Sequence, residues 1–309
     1  MKFWAGVTDN RWFEFLATRG FEEVNFWQPS AKPLFSSLPA WAPFLFKLKR
    51  PHNHIAGGGF FVKYSSLPLA LAWDAFGERN GAATVAQLEA AIRPLAPDPR
   101  AANFDVGCTV IAQPFFFDRK DWIPVPESWS TNIVRGKTYD TGTTAGRELW
   151  AQVEERLSRR GILSNLQDIE KVARRDRYGQ SYLTQGRLGQ GAFRLMVMDA
   201  YERRCAITGE STLLVLEAAH IKPFAEQGPN STSNGLLLRS DFHKLFDCGL
   251  VTVTPDLRVK VSSQIRERYF NGKAYYRLHN QPLAIVPAHV YDRPAVDLLA
   301  WHSQERFVQ

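Results

Sequence analysis

Residues 217–248, EAAHIKPFAEQGPNSTSNGLLLRSDFHKLFDC, decide how this chain is read. His220 is followed fourteen positions later by Asn234 and nine after that by His243, with Asp247 one helical turn further on. LLVLEAAHI (213–221) has the apolar run of a strand that would deliver His220 at its end. PNSTSNG is rich in turn formers and predicts a loop, which Asn234 can tie to the strand through its side-chain amide. Ser240 is a reasonable N-cap for a short helix. On that helix His243 and Asp247 fall at i and i+4, so both can reach one ion. Taken singly, each residue has a duller reading: a histidine is more often structural, Asn-Gly is usually a turn, and Asp241 is a helix cap before it is a ligand. Their joint spacing argues for a site.

AAHI-x-P, NG-L-x-L and D-x-H-x-L-F-D at these spacings resemble the HNH nucleases, the ββα-metal fold that cuts phosphodiester bonds. RRCAITGE (203–210) resembles the entry hairpin of members found in restriction enzymes, so the likeness covers about 187–262. The resemblance implies a catalytic set of His220, Asn234 and His243. His220 matches the general base that takes a proton from water, a task suited to a neutral imidazole. Asn234 matches the amide that braces the loop, and His243 and Asp247 match metal-ligand positions on the helix. Many members carry Asp or His immediately before the base, where this chain has Ala219. Glu217, two residues before Ala219 on the same strand face, is a candidate substitute ligand, with a buried salt-bridge partner as the alternative reading. One divalent ion of the Mg or Mn class is implied, stabilising charge on the phosphate. Structural zinc is not expected, because Cys205 has Thr208 where a CxxC partner would stand.

The upstream half reads differently. FLFKLKR (44–50), GGFFVKYSS (58–66) and CTVIAQPFFF (108–117) look like strands between turn signals, and residues 9–18 and 84–92 look like helices. FLFKLKRPHNHIAGGGFF (44–61), LPLALAWDAFGERNG (67–81) and DVGCTVIAQPFFF (105–117) resemble the PUA-like modified-base readers of the EVE kind. Such readers extrude a base and pack it between aromatic walls, with polar groups on its edge. The candidates are Trp4, Trp27, Trp73 and Tyr64 for walls and Asp105 and Asn53 for the edge, with Gly57 to Gly59 letting backbone approach a ligand. Lys47, Lys49, Arg50, Arg187 and Arg194 are candidate phosphate contacts.

The fold expected is α+β. It comprises an N-terminal PUA-like (EVE-type) β-barrel with inserted helices at 1–138, a helical and basic linker at 139–188, and a C-terminal ββα-metal HNH nuclease domain at 189–309. Helices are expected at 144–160, 191–204 and near 293–301, and strands at 250–254 and 257–262. At 309 residues two domains are the prior, and 45% hydrophobic residues supply packed cores. A formal charge of +7 suits a polyanionic partner. Three cysteines imply no disulfide framework, and no apolar stretch reaches membrane-spanning length, so a cytoplasmic protein is expected. The function expected is a modification-dependent restriction endonuclease acting on double-stranded DNA with 5-methyl- or 5-hydroxymethylcytosine. A double-strand break needs two cuts, which a homodimer would supply. The rivals are a modified-DNA binder with an impaired nuclease domain and an HNH nuclease directed to unmodified or phosphorothioate DNA.

Overall fold

The computed structural model describes residues 1–33, 38–161 and 189–309, which divide into two compact units, Met1–Tyr182 and Leu183–Gln309. The first unit is built on one seven-stranded sheet. Its strands are β1 (Lys2–Thr8), β2 (Glu23–Gln28), β3 (Pro43–Leu48), β4 (His54–Pro68), β5 (Asp105–Phe116), β6 (Ile123–Pro124) and β7 (Gly136–Asp140). They run in the order β2-β5-β4-β3-β1-β7, with β6 paired to β4. β1 and β3 pair in parallel and every other pair is antiparallel. The mixed α+β class is as expected; this sheet is open, and no closed barrel is found among the described residues.

Aromatic packing holds the sheet. Phe44 and Phe46 of β3 and Phe26 of β2 meet Trp12 and Phe13 of α1 (Asn10–Ala17) in one buried cluster. Phe44 and Phe46 are fully buried, each contributing about 1.5–3 kcal/mol relative to exposure. α1 is capped by Asp9, whose side chain accepts from the Arg11 and Trp12 amides. α2 (Leu69–Phe76), α3 (Val85–Ile92) and α4 (Thr144–Arg159) complete the unit. Phe3, on the face opposite Trp4, packs against Trp150 of α4 and Tyr139 of β7. The domain boundary expected at 138 therefore falls inside β7, and the helix expected in the linker packs on β1.

The glycines at 57–59 serve the sheet. A Cβ on Gly57 would stand 2.3 Å from the Phe115 carbonyl oxygen, and one on Gly59 2.4 Å from Ile111 Cγ2. Close strand approach, not a ligand, requires them.

In the second unit α5 (Gln190–Ala200) buries Phe193, Leu195, Met196, Val197 and Met198. β8 (Leu216–His220) and β9 (Gly235–Arg239) form an antiparallel pair, and β9 leads directly into α6 (Ser240–Asp247). β10 (Val251–Val253) and β11 (Val259–Val261) make a second pair. α7 (Gln264–Tyr269), α8 (Lys273–Tyr276) and α9 (Val296–Trp301) follow. No helix among the described residues is long and apolar enough to cross a membrane.

Candidate active site

The hairpin and helix place the side chains. In β8–β9, His220 lies opposite Gly235 and Glu217 opposite Leu238. Two anchors fix the frame around that register. The buried Tyr201 hydroxyl donates to the Gly235 carbonyl at 3.3 Å. The buried Cys205 sulfur accepts from the amides of Thr208 (3.5 Å) and Arg239 (3.3 Å), pinning the turn at 205–208 to the end of β9.

His220 lies flat on Phe193, with ring centroids 3.8 Å apart and planes 11° apart. Its Nε2 lies 2.9 Å from Asn230 Oδ1. An amide oxygen only accepts, so Nε2 carries the proton and Nδ1 keeps its lone pair. Burial pushes the imidazole below its ordinary value, and the nearby His243 adds to this; the Asn230 bond and the Asp247 carboxylate oppose it. The net result is a neutral ring at neutral pH, the form that can accept a proton.

Asn234 is fully buried. Its Oδ1 accepts from the Lys222 amide at 2.9 Å, and its Nδ2 donates to the carbonyls of Lys222 (2.9 Å) and Pro229 (2.8 Å). With the whole amide bonded to main chain, Asn234 holds the loop and has nothing left for a substrate.

On α6, His243 Nδ1 donates to Glu217 Oε2 at 2.6 Å, while Nε2 stands 3.4 Å from Asp247 Oδ2. Glu217, His243 and Asp247 thus form a carboxylate–imidazole–carboxylate chain. Partial burial raises the Asp247 carboxyl above its ordinary value; His243 opposes this and the Glu217 charge reinforces it. Two carboxylates that repel each other across one imidazole are chemically suited to a hard divalent cation, which would relieve that repulsion. Among the described residues, no three His, Cys, Asp or Glu side chains are already grouped as a metal site. Ala219 is fully buried and contributes no ligand.

Two neighbours depart from the sequence reading. The N-cap position of α6 is Arg239, and Ser240 makes no side-chain cap bond. Asp241 instead takes the Arg239 guanidinium on both oxygens at 2.7 Å, which with other hydrogen bonds holds its carboxyl below the usual range. Asn230 and Phe193 were not singled out from sequence. The only signal was a second amide in the PNSTSNG loop and an aromatic on the preceding helix.

The candidate pocket and phosphate residues of the first unit do not converge. Trp4 is buried in the core cluster. Trp73 lies part-buried on α2, and the Tyr64 hydroxyl donates to the Ala31 carbonyl at 2.5 Å. Asp105 is exposed at the start of β5, and Asn53 sits in a turn with φ of 50°. Lys47 is buried, its ammonium 5.2 Å from the Trp129 ring centroid, which removes it as a surface phosphate contact. Burial, then the Arg50 charge, lowers its pKa. Lys49 pairs with Asp9 at 3.1 Å. Arg194 is part-exposed on α5, and Arg187 lies outside the described residues. Trp27 does border a cavity: one of about 330 Å³ shares Trp12, Phe26, Gln28 and Asp9 with it, and a second of about 740 Å³ extends from Trp27 to Arg50.

Residues 205–254 match the family model described as HNH endonuclease. No curated protein matches the chain. Among solved structures, the modification-dependent TagI restriction endonuclease is similar at 13% identity, with 92% of this chain and 75% of that chain covered and a TM-score of 0.27.

Proposed function

We propose that this protein is a modification-dependent DNA endonuclease, with the first unit reading a modified cytosine and the HNH domain hydrolysing the backbone. The observation that carries the reading is His220: a neutral imidazole with its Nε2 bonded to Asn230, beside the Glu217–His243–Asp247 chain. In the proposed step, His220 Nδ1 takes a proton from water as the water oxygen attacks phosphorus. The P–O3′ bond breaks, leaving a 5′-phosphate and a 3′-hydroxyl, the leaving oxygen being protonated from solvent. His243, through Nε2, and Asp247 would hold a divalent ion of the Mg or Mn class, with Glu217 orienting His243 from its Nδ1 side; the ion would supply Lewis acidity to the phosphate. Asn234 keeps the loop closed beneath His220.

For the reader, the cavity bordered by Trp27, Trp12 and Phe26 supports an extruded base, since it offers aromatic walls with Gln28 and Asp9 as polar edges. Lys49 and Arg50 border the adjoining cavity and would meet flanking phosphates. The test digests matched plasmids carrying cytosine, 5-methylcytosine or 5-hydroxymethylcytosine with Mg²⁺ or Mn²⁺, beside His220→Ala. Cleavage confined to modified plasmids and lost in the variant is expected. Equal cleavage of all three removes the reader, and retained cleavage by His220→Ala removes the base.

A further inference from the structure

We infer that Asn230 is a positioning residue that sets both the tautomer and the ring orientation of His220; this rests on the proposed role of His220 as base. The Phe193 ring fixes only the plane of the imidazole. A half-turn about Cβ–Cγ preserves that stack while exchanging Nδ1 with Cδ2 and Nε2 with Cε1. One orientation presents a lone pair to water and the other a C–H, so stacking alone leaves the ring half misdirected. The 2.9 Å bond from Nε2 to Asn230 Oδ1 distinguishes the two, because it is lost when a carbon takes the place of Nε2. The same bond selects the tautomer. A neutral imidazole carries one N–H, and an acceptor at Nε2 draws it there.

Sequence and fold explain why this residue can act. Asn230 lies in the loop between β8 and β9, and Asn234 binds that loop at Pro229, the residue immediately before Asn230. The bond to Lys222 on the strand side closes the circuit, so Asn230 is carried to His220 by a main-chain brace.

The test uses the full chain labelled with ¹⁵N-histidine. Two-bond proton–nitrogen correlations report the His220 tautomer, assigned by the signals lost in His220→Ala. Asn230→Leu keeps the side chain's size without an acceptor, and Asn230→Asp keeps an acceptor oxygen. Wild type and Asn230→Asp should show the Nε2–H form, and Asn230→Leu a mixture of both. On modified plasmid, Asn230→Leu should lower kcat on the order of tenfold to a hundredfold with KM little changed, and Asn230→Asp should recover most of the loss. An Nδ1–H form in wild type, a pure Nε2–H form in Asn230→Leu, or a rise in KM with kcat unchanged overturns the inference. Retained cleavage by His220→Ala instead overturns the base assignment, and the tautomer spectra separate that failure from this one.

Discussion

Two histidines of the second unit lie flat on phenylalanine rings: His220 on Phe193 at 3.8 Å and His302 on Phe246 at 3.7 Å. Their nitrogens are used differently. His302 is buried; its Nδ1 accepts from the Thr252 hydroxyl at 2.9 Å and its Nε2 donates to the Phe246 carbonyl at 3.2 Å. Both nitrogens are spent on the protein, and burial pushes the ring's pKa down to about 4. Among the described residues, His220 bonds the protein through Nε2 alone. The stack is common to a structural imidazole and to the proposed base. The difference lies in how many nitrogens the fold satisfies.

The largest effect that would break this comparison belongs to His220. His220→Ala should lower cleavage by about 10²–10⁴-fold, read from plasmid nicking rates, with thermal unfolding little changed. His302→Ala should do the reverse. It removes one hydrogen bond each from the Thr252 hydroxyl and the Phe246 carbonyl, which keep Ser303 and the Gly249 amide as partners, and leaves a cavity beside Phe246, costing on the order of 2–4 kcal/mol in denaturant unfolding, while the folded fraction cleaves normally.

The pH dependence of unfolding sharpens the contrast. The folded state holds His302 neutral down to about pH 4, whereas the unfolded chain protonates near 6.5. The unfolded state therefore binds more protons between these values. Stability from this group is complete above 6.5 and lost as pH falls to 4, by about 3 kcal/mol. His302→Ala should flatten that part of the stability curve.

Smaller effects belong to the carboxylates. Glu217→Ala and Asp247→Ala should each lower cleavage about tenfold to a hundredfold and weaken Mn²⁺ binding in calorimetry. Undiminished Mn²⁺ binding in both would separate them from the metal. Smallest is Asp241→Asn, which breaks a partly exposed pair with Arg239 and should cost under about 1 kcal/mol of stability.

What was legible in the sequence follows from range. The strands β3, β4 and β5 are long aromatic or β-branched runs between turns, so local pattern sufficed. β7, GKTYD, is mostly polar and half-buried, and only its pairing with β1 makes it a strand. β9 begins at the Gly of an Asn-Gly pair, whose turn signal masked it. His220, Asn234, His243 and Asp247 could be named because their spacing is local to one hairpin and helix. Asn230 could not, since its importance depends on where the loop folds back. The pocket candidates scattered because a tryptophan's composition is the same whether it faces the core, as Trp4 does, or a cavity, as Trp27 does.

The pairing of β1 with β7 also imposes an order on folding. Lys2 meets Asp140, 138 positions away (140 − 2). A chain emerging from the ribosome cannot complete its first sheet until residue 140 is out, and until then the edge of β1 stands open to other strands. A fragment cut at 138 would keep the aromatic core but lose Tyr139, whose ring covers Phe3. The first unit is thus finished by its last strand, and its solubility during synthesis depends on residues that read, in one dimension, as the start of a linker.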